Sequence, residues 1–387
     1  MRITDSMTND MLSAYLLRNR SDLYKIQEET SSGKKVSRPS DDPGAYDRII
    51  NMRYKGTMLD QYQTNSTRLK GDLLTMDSQL QGAQDQLLRA SEIVISGSDG
   101  TKNPEDLKAL AQELNQILES LVNVANSKID GSSVYSGLRQ DVDAYLVNRD
   151  AEGYITTVTY QGSDQTRKVE IAEGEYLPAT LVGSDPGSAN GIFQTSEADV
   201  FAHLIHIRDR LLAAENLGAT ESFTADPVTD TLTVSGLYAT GSSVTLESSE
   251  SLPGGLSPET TYYAIRVSDT EIQLAATLAD ARAGIAIDLT DAGSGDMGIT
   301  QTPLADIERD ETQMMEILTR LGAYEERLAM NIKVLDSKEA NLADKLESEE
   351  SVDIAEAAMQ LTAKQAAYEA SMQVTTATMQ LSLLNYL

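Results

Sequence analysis

Apolar residues recur at helical spacing toward both ends of this chain and lose that spacing in the middle. From Leu59 they fall at Leu59, Tyr62, Leu69, Leu73, Met76, Leu80, Ala83, Leu87, Ala90 and Val94, in alternating steps of three and four with Ser66 the one polar interruption. That seam predicts a long helix packed on others at a shallow angle. Gly56, Gly71 and Gly82 lie off it and weaken the helix slightly. A second helix opens at "NPEDL", where Asn103 can cap, Pro104 suits the first turn, and Glu105 and Asp106 meet the positive end of the dipole. Its seam runs Leu107, Leu110, Leu114, Ile117, Leu121 and Val124. A third long helix carries Ile307, Met314, Leu318, Leu321, Leu328, Ile332, Leu335, Leu342 and Leu346, interrupted by Glu311, Glu325 and Glu339. Carboxylates in a seam are costly, so that side is wet or faces basic groups of a neighbour. A break is expected near "ESEESVD".

The middle alternates instead. "GYITTVTYQGSDQTRKVEIAEG" places Tyr154, Thr156, Val158 and Tyr160 before "GSDQ" and Val169 and Ile171 after it, which reads as a hairpin. A helix follows at "EADVFAHLIHIRDRLLAAE". Residues 217–302 are then rich in Thr, Ser, Gly, Val and Pro and read as an inserted β module. The fold class is α+β: a long helical bundle or coiled coil formed by both chain ends, with β domains inserted between them.

The extreme ends are amphipathic as well. The first carries Ile3, Met7, Leu12, Leu16, Leu23 and Ile26; the last carries Ile354, Leu361, Tyr368, Met372, Met379, Leu383, Leu384 and Leu387. A helix of about 35 residues is roughly 50 Å long. Two such helices can pair, yet cannot bury all these faces between them. Either the ends fold back on the chain's own core, or they bury against copies or relatives. The apolar run to "QLSLLNYL" leans toward a partner.

Composition narrows the classes. The net charge of −29 argues against a nucleic-acid surface. With no cysteine, disulfides, thiol catalysis and thiolate metal sites are excluded; with no tryptophan and three phenylalanines, leucine, alanine, methionine and tyrosine rather than large aromatic cores must hold the protein together. The opening "MRITDSMTNDMLSAYLL" lacks the uninterrupted apolar core of a secretory signal. No segment reaches the roughly 18 apolar residues of a membrane span. The expectation is a cytosolic protein, or one exported without a cleaved signal. His203 and His206 share one helical face, but no third metal ligand is identifiable, so a packed or surface pair is expected. No carboxylate pair stands out as an acid/base couple, and "GSDPGSANG" lacks the lysine of a phosphate loop. No enzyme activity, cofactor or metal is expected.

The loop "SSGKKVSRPSDDPGAY" has two readings. Gly33 is placed to end the first helix in a left-handed turn, and Pro39 forbids continuation. Ser40, Asp41 or Asp42 can cap the next helix, with Pro43 in its first turn. That makes a punctuated corner. Lys34, Lys35 and Arg38, with Asp41 and Asp42, also make a polar spot that could dock a partner.

This loop resembles the one after the first helix in the flagellin superfamily. The prolines flanking the Asp pair, Pro39 and Pro43, look more like that superfamily's hook–filament junction branch (hook-associated proteins of the L type) than like filament flagellin. "VANSKIDGSSVYSG", through Ala125, Asn126, Gly131, Tyr135, Ser136 and Gly137, resembles a second family segment. "VDIAEAAMQLTAKQAAYEAS", through Asp353, Ala355, Glu356, Leu361 and Gln365, resembles a third, and "LSLLNYL" is similar to the family's C-terminal end. The resemblance covers about 1–145 and 303–387. "LGAYEERL" matches at Gly322, Ala323, Arg327 and Leu328 and departs at Tyr324 and Glu326. The 217–302 module has no counterpart in short family members and is weakly similar to modules of phage-tail and surface proteins.

The resemblance implies a division into an inner-tube helix (1–40), half a bundle (41–145), an outer β domain (146–195), a returning helix (196–216), the inserted module (217–302), the second bundle helix (303–350) and a second inner-tube helix (351–387). It implies an extracellular axial component of the flagellum, exported unfolded by the flagellar secretion apparatus. Its partners would be a hook-associated protein on the hook side, flagellin on the filament side, copies of itself, and an export chaperone holding the C-terminal segment. The interface would use the apolar residues of both ends. Filament flagellin is the alternative, and a phage-tail-like or adhesin fibre a further one.

Overall fold

The computed structural model describes residues 5–188, 190–268 and 270–384. In chain order, α1 (Asp5–Ser32), α2 (Pro43–Gly97) and α3 (Pro104–Ala125) come first. Six short strands follow: β1 (Lys128–Ile129), β2 (Ser132–Ser133), β3 (Tyr145–Arg149), β4 (Ile155–Tyr160), β5 (Lys168–Ala172) and β6 (Glu175–Pro178). Helix α4 (Val200–Leu212) leads to β7 (Thr220–Ser222), β8 (Thr224–Asp226), β9 (Thr231–Thr233), β10 (Ser243–Ser248), β11 (Thr261–Arg266) and β12 (Glu271–Ala275). The chain ends with α5 (Leu278–Ala283), β13 (Met297–Gln301), α6 (Pro303–Glu350) and α7 (Ile354–Leu384). Two compact units result: Met1–Thr64 with Ile332–Leu387, and Asn65–Asn331.

The larger unit is built on the α2 seam. Leu69, Leu73, Met76, Leu80, Ala83, Leu87, Ala90 and Val94 are all buried, in one core with α3, α4 and α6. Ser66, the polar interruption, is also buried, and Asn331 Nδ2 donates to its Oγ (3.1 Å) and to the Ile171 carbonyl (2.9 Å). Asn103 caps α3, its Oδ1 accepting from Glu105 N and Asp106 N at 2.9 Å each. Of the three seam carboxylates, burial raises the pKa of Glu311 and Glu325, while Glu339 is exposed. The break in the C-terminal helices falls at residues 351–353.

The strands correct one expectation. β4 does not return through β5: it pairs back with β3, and β5 pairs forward with β6. The turn that closes β3–β4 is at Asp150–Gly153, where Gly153 takes φ +93° and Tyr154 N donates to Asp150 Oδ1 at 2.8 Å. "GSDQ" is instead occupied against the preceding loop, with Ser163 N donating to Ser136 O at 3.0 Å. Gly137 (φ +63°) permits that approach, since a Cβ there would lie 2.3 Å from Ser163 O.

Residues 220–301 form a seven-stranded antiparallel sheet in the order β7-β13-β10-β11-β12-β9-β8. Alternation buries Tyr262 and Ala264 of β11 and Ile272 and Leu274 of β12 on a separate apolar core. Polar contacts from this sheet and from α5 reach the bundle helices α4 and α6. His206 Nε2 meets Gln301 Oε1 at 2.7 Å, Ser243 N donates to Asp306 Oδ2 at 3.2 Å, and Arg282 Nη2 donates to Asp199 Oδ2 at 3.0 Å. The histidines of "HLIH" are thus packed, with His203 Nδ1 2.8 Å from Asp310 Oδ2.

Candidate assembly interface

Helices α1 and α7 lie against each other, antiparallel, in the smaller unit. On α1 the covered positions are Leu12, Leu16, Asn19, Leu23 and Ile26, in steps of four and three. On α7 they are Ala357, Leu361, Lys364, Tyr368, Ser371 and Thr375, at the same spacing. That is the seam of a two-helix coiled coil. Two polar contacts set its register: Asn19 Nδ2 donates to Ser371 Oγ and Lys364 Nζ to Asp22 Oδ2, each at 2.7 Å. Asp22 is held below the ordinary carboxylate range chiefly by that bond to Lys364.

The sequence-named residues divide accordingly. Leu12, Leu16, Leu23, Ile26, Leu361 and Tyr368 lie on the seam, whereas Met7 and Met372 are exposed. Ile3 and Leu387 lie outside the described residues, as do the side chains of Met379, Leu383 and Leu384. Sequence reasoning missed the larger exposed set: Met11, Tyr15, Leu17, Tyr24, Met359 and Val374. With Met7, Ile354 and Met372, their exposures run from 45% to 68%. Met7, Met11 and Tyr15 form one stripe beside the seam, and Leu17 and Tyr24 flank its other side. The available signal was the number of apolar residues on α1, too many for one stripe.

The loop joining α1 to α2 is a joint of the smaller unit. Gly33 takes φ +69° and ends α1. Lys35 N donates to Glu350 O (2.7 Å) and Val352 N to Gly33 O (3.0 Å), so residues 33–35 and 350–352 pair across the α6–α7 break. Lys34 Nζ and Arg53 Nη2 both meet Glu350 Oε1, the latter at 2.6 Å. Burial opposes the charge on Glu350, yet these two cations hold its pKa below the ordinary value. Arg38 pairs with Glu28 at 2.8 Å. Asp41 Oδ2 accepts from Arg38 N (2.9 Å) and Ser37 N (3.2 Å), and Asp42 Oδ1 caps α2 through Ala45 N (2.9 Å) and Gly44 N (3.0 Å). Lys34, Arg38, Asp41 and Asp42 are therefore engaged within the chain. Lys35 is exposed and makes no ion pair among the described residues.

Replacing Glu350 with glutamine is expected to loosen this joint. Its depressed pKa means that its stabilisation is present above the usual carboxylate range and lost as pH falls through the folded value. Lower protection of the Lys35 and Val352 amides, relative to the intrinsic exchange rate at each pH, is the expected outcome in Glu350→Gln and in the parent chain on acidification. Unchanged protection would remove Glu350 from this role.

The described residues contain no group of three or more His, Asp or Glu placed to hold a metal. No described helix is long and apolar enough to cross a membrane. What the geometry defines is a chain whose two ends close into one helical hairpin, with its β regions inserted between them. Residues 3–139 match the bacterial flagellin N-terminal helical region, and residues 304–387 match the bacterial flagellin C-terminal helical region. The chain belongs to the flagellin superfamily.

Its relatives include the flagellin of Listeria monocytogenes, 26% identical over 191 residues, covering 49% of this chain and 63% of that one. Flagellar hook-associated protein 3 of Salmonella typhimurium is 27% identical over 154 residues, covering 40% and 48%. The matches thus span about half to three-fifths of those relatives' lengths. A flagellar hook-associated protein from Vibrio parahaemolyticus has a similar fold, with a TM-score of 0.50, 15% identity, and coverage of 80% of this chain and all of that one.

Proposed function

We propose that this chain is an axial structural subunit of the bacterial flagellum, acting at the junction between hook and filament. The observation that carries the reading is the α1–α7 hairpin, whose seam is closed while Met7, Met11, Tyr15, Leu17, Tyr24 and Met359 stay exposed on its flanks. Large exposed apolar patches mark interaction surfaces. Copies of the same hairpin would cover one another in a tube, with a hook-associated protein as neighbour on one side and flagellin on the other. The terminal helices would order fully on docking, so that folding free energy becomes assembly free energy. Before export, a chaperone would cover the C-terminal segment. Residues 1–40 and 351–387 would line the tube, and Lys35 is the loop residue left to dock a neighbour.

The similarity to Listeria flagellin keeps a filament subunit as the second reading. Electron microscopy of a strain lacking the gene separates them. Hooks without filaments, with flagellin shed into the medium, is the expected result. Loss of the filament with no flagellin shed would favour the second reading, and normal flagella would overturn both.

A further inference from the structure

A cleft of about 630 Å³ is formed by the β5–β6 hairpin and the middle of α6, within the larger unit. Arg320, Tyr324 and Arg327 enter it from α6, at steps of four and three that put them on one helical face. Lys168 and Tyr176 enter from the hairpin, and buried Leu177 and Leu181 contribute an apolar floor. Tyr324 is one of the two positions where "LGAYEERL" departs from the pattern it resembles; it lines this cleft and also packs against the main core.

We propose that the cleft binds an acidic sugar, a carboxylated pyranose or a short oligosaccharide containing one. Three cations converge here on a chain of net charge −29. Lys168 has no ion pair among the described residues. Among the described residues Arg320 makes only long bonds to Asn190, 3.3 Å to its carbonyl and 3.5 Å to its Oδ1. Its guanidinium keeps donors for a carboxylate, in the planar geometry that suits one. The tyrosine rings and the leucine floor suit the C–H face of a pyranose. Arg327 is turned to Glu175 (Nε to Oε1, 3.1 Å), and Asp164 also lines the cleft. The Asp164 carboxylate can accept from sugar hydroxyls and repel a dense anion. The lining therefore favours one carboxylate on a polyhydroxylated body over phosphate or an acidic peptide. The inference rests on this cleft alone and is independent of the assembly reading.

Calorimetric titration of the full chain with trigalacturonate tests it, against maltotriose, inorganic phosphate and triglutamate. The expected result is saturable binding of trigalacturonate, weakened about tenfold by Arg320→Gln and also weakened by Tyr324→Ala. Circular dichroism of both variants and the melting temperature of Arg320→Gln should stay at parent values, while Tyr324→Ala, which also loses packing on the main core, should melt lower yet remain folded at the titration temperature. Tyr324→Phe, which keeps the ring, should restore most of the affinity. No saturation with trigalacturonate, equal binding of maltotriose, tighter binding of phosphate or triglutamate, or full affinity in folded Arg320→Gln would each overturn the proposal.

Discussion

Replacing Asp310 with alanine is expected to destabilise the larger unit by about 3–5 kcal/mol in urea unfolding. Asp310 is fully buried, and its Oδ2 sits 2.8 Å from His203 Nδ1. Its Oδ1 accepts from Asp199 N at 3.1 Å. Removing the carboxylate leaves an imidazolium in the core without its partner and orphans the amide at the start of α4. Asp310→Asn, which keeps one acceptor, should lose less. A loss below about 1 kcal/mol in the alanine variant would mean that the pair behaves as a surface salt bridge despite its burial.

The two histidines should give opposite pH slopes. Burial alone would lower the pKa of His203, but Asp310, Asp306 and Asp199 outweigh it and raise the value to about 9. A raised pKa gives stability that is full below the unfolded value near 6.5 and is lost as pH rises toward 9. Burial also raises the pKa of Asp310, against the pull of His203, and a raised carboxyl likewise costs stability as pH rises. His206 runs the other way: burial lowers it to about 4, with Arg210 adding to the shift and Gln301 opposing it. Its neutral form is the stable one, so stability is lost as pH falls from 6.5 toward 4. Each shift corresponds to about 3 kcal/mol at its limit. Melting temperatures should show His206→Gln flattening the acid limb and His203→Gln/Asp310→Asn, which removes both members of the titrating pair, flattening the alkaline limb. Parallel curves for both variants and parent would refute the assignment.

This network shows where sequence reading stops. The spacing in "HLIH" puts both rings on one helical face, but their partners Asp310 and Gln301 lie 107 and 95 residues away. Nothing local announces them. The α2 seam was legible because burial and spacing coincide from Leu69 to Val94 over an uninterrupted helix. Gly33, Asp42 and Asn103 were legible because turns and caps are local chemistry. The hairpin was misread because two turn signals competed. "GSDQ" has the composition of a strand turn, but its backbone is held by Ser136, while Asp150 and Gly153 close β3–β4. At the terminal helices, periodicity located the seam residues Leu16 and Leu23 and could not tell which other apolar residues stay uncovered.

Those uncovered residues carry the second large effect. Met11→Glu with Tyr15→Glu should raise the concentration at which the chain associates by at least about 100-fold. The estimate takes about 1.5–3 kcal/mol for each apolar side chain no longer buried and tenfold per 1.4 kcal/mol. Both residues are more than half exposed and lie off the seam, so the hairpin itself should be untouched and helical ellipticity unchanged. Leu16→Glu is the contrasting case, because it places a charge in the seam and should unpair α1 from α7. Tyr24→Glu, on the opposite flank, tells whether copies use one side of the hairpin or both. Sedimentation velocity over a concentration series reads association, and filament attachment in a complemented deletion strain reads function. If Met11→Glu/Tyr15→Glu associates like the parent and still restores filaments, the exposed stripe is not the assembly surface. If Leu16→Glu alone abolishes attachment, the hairpin must form before a neighbour can recognise it.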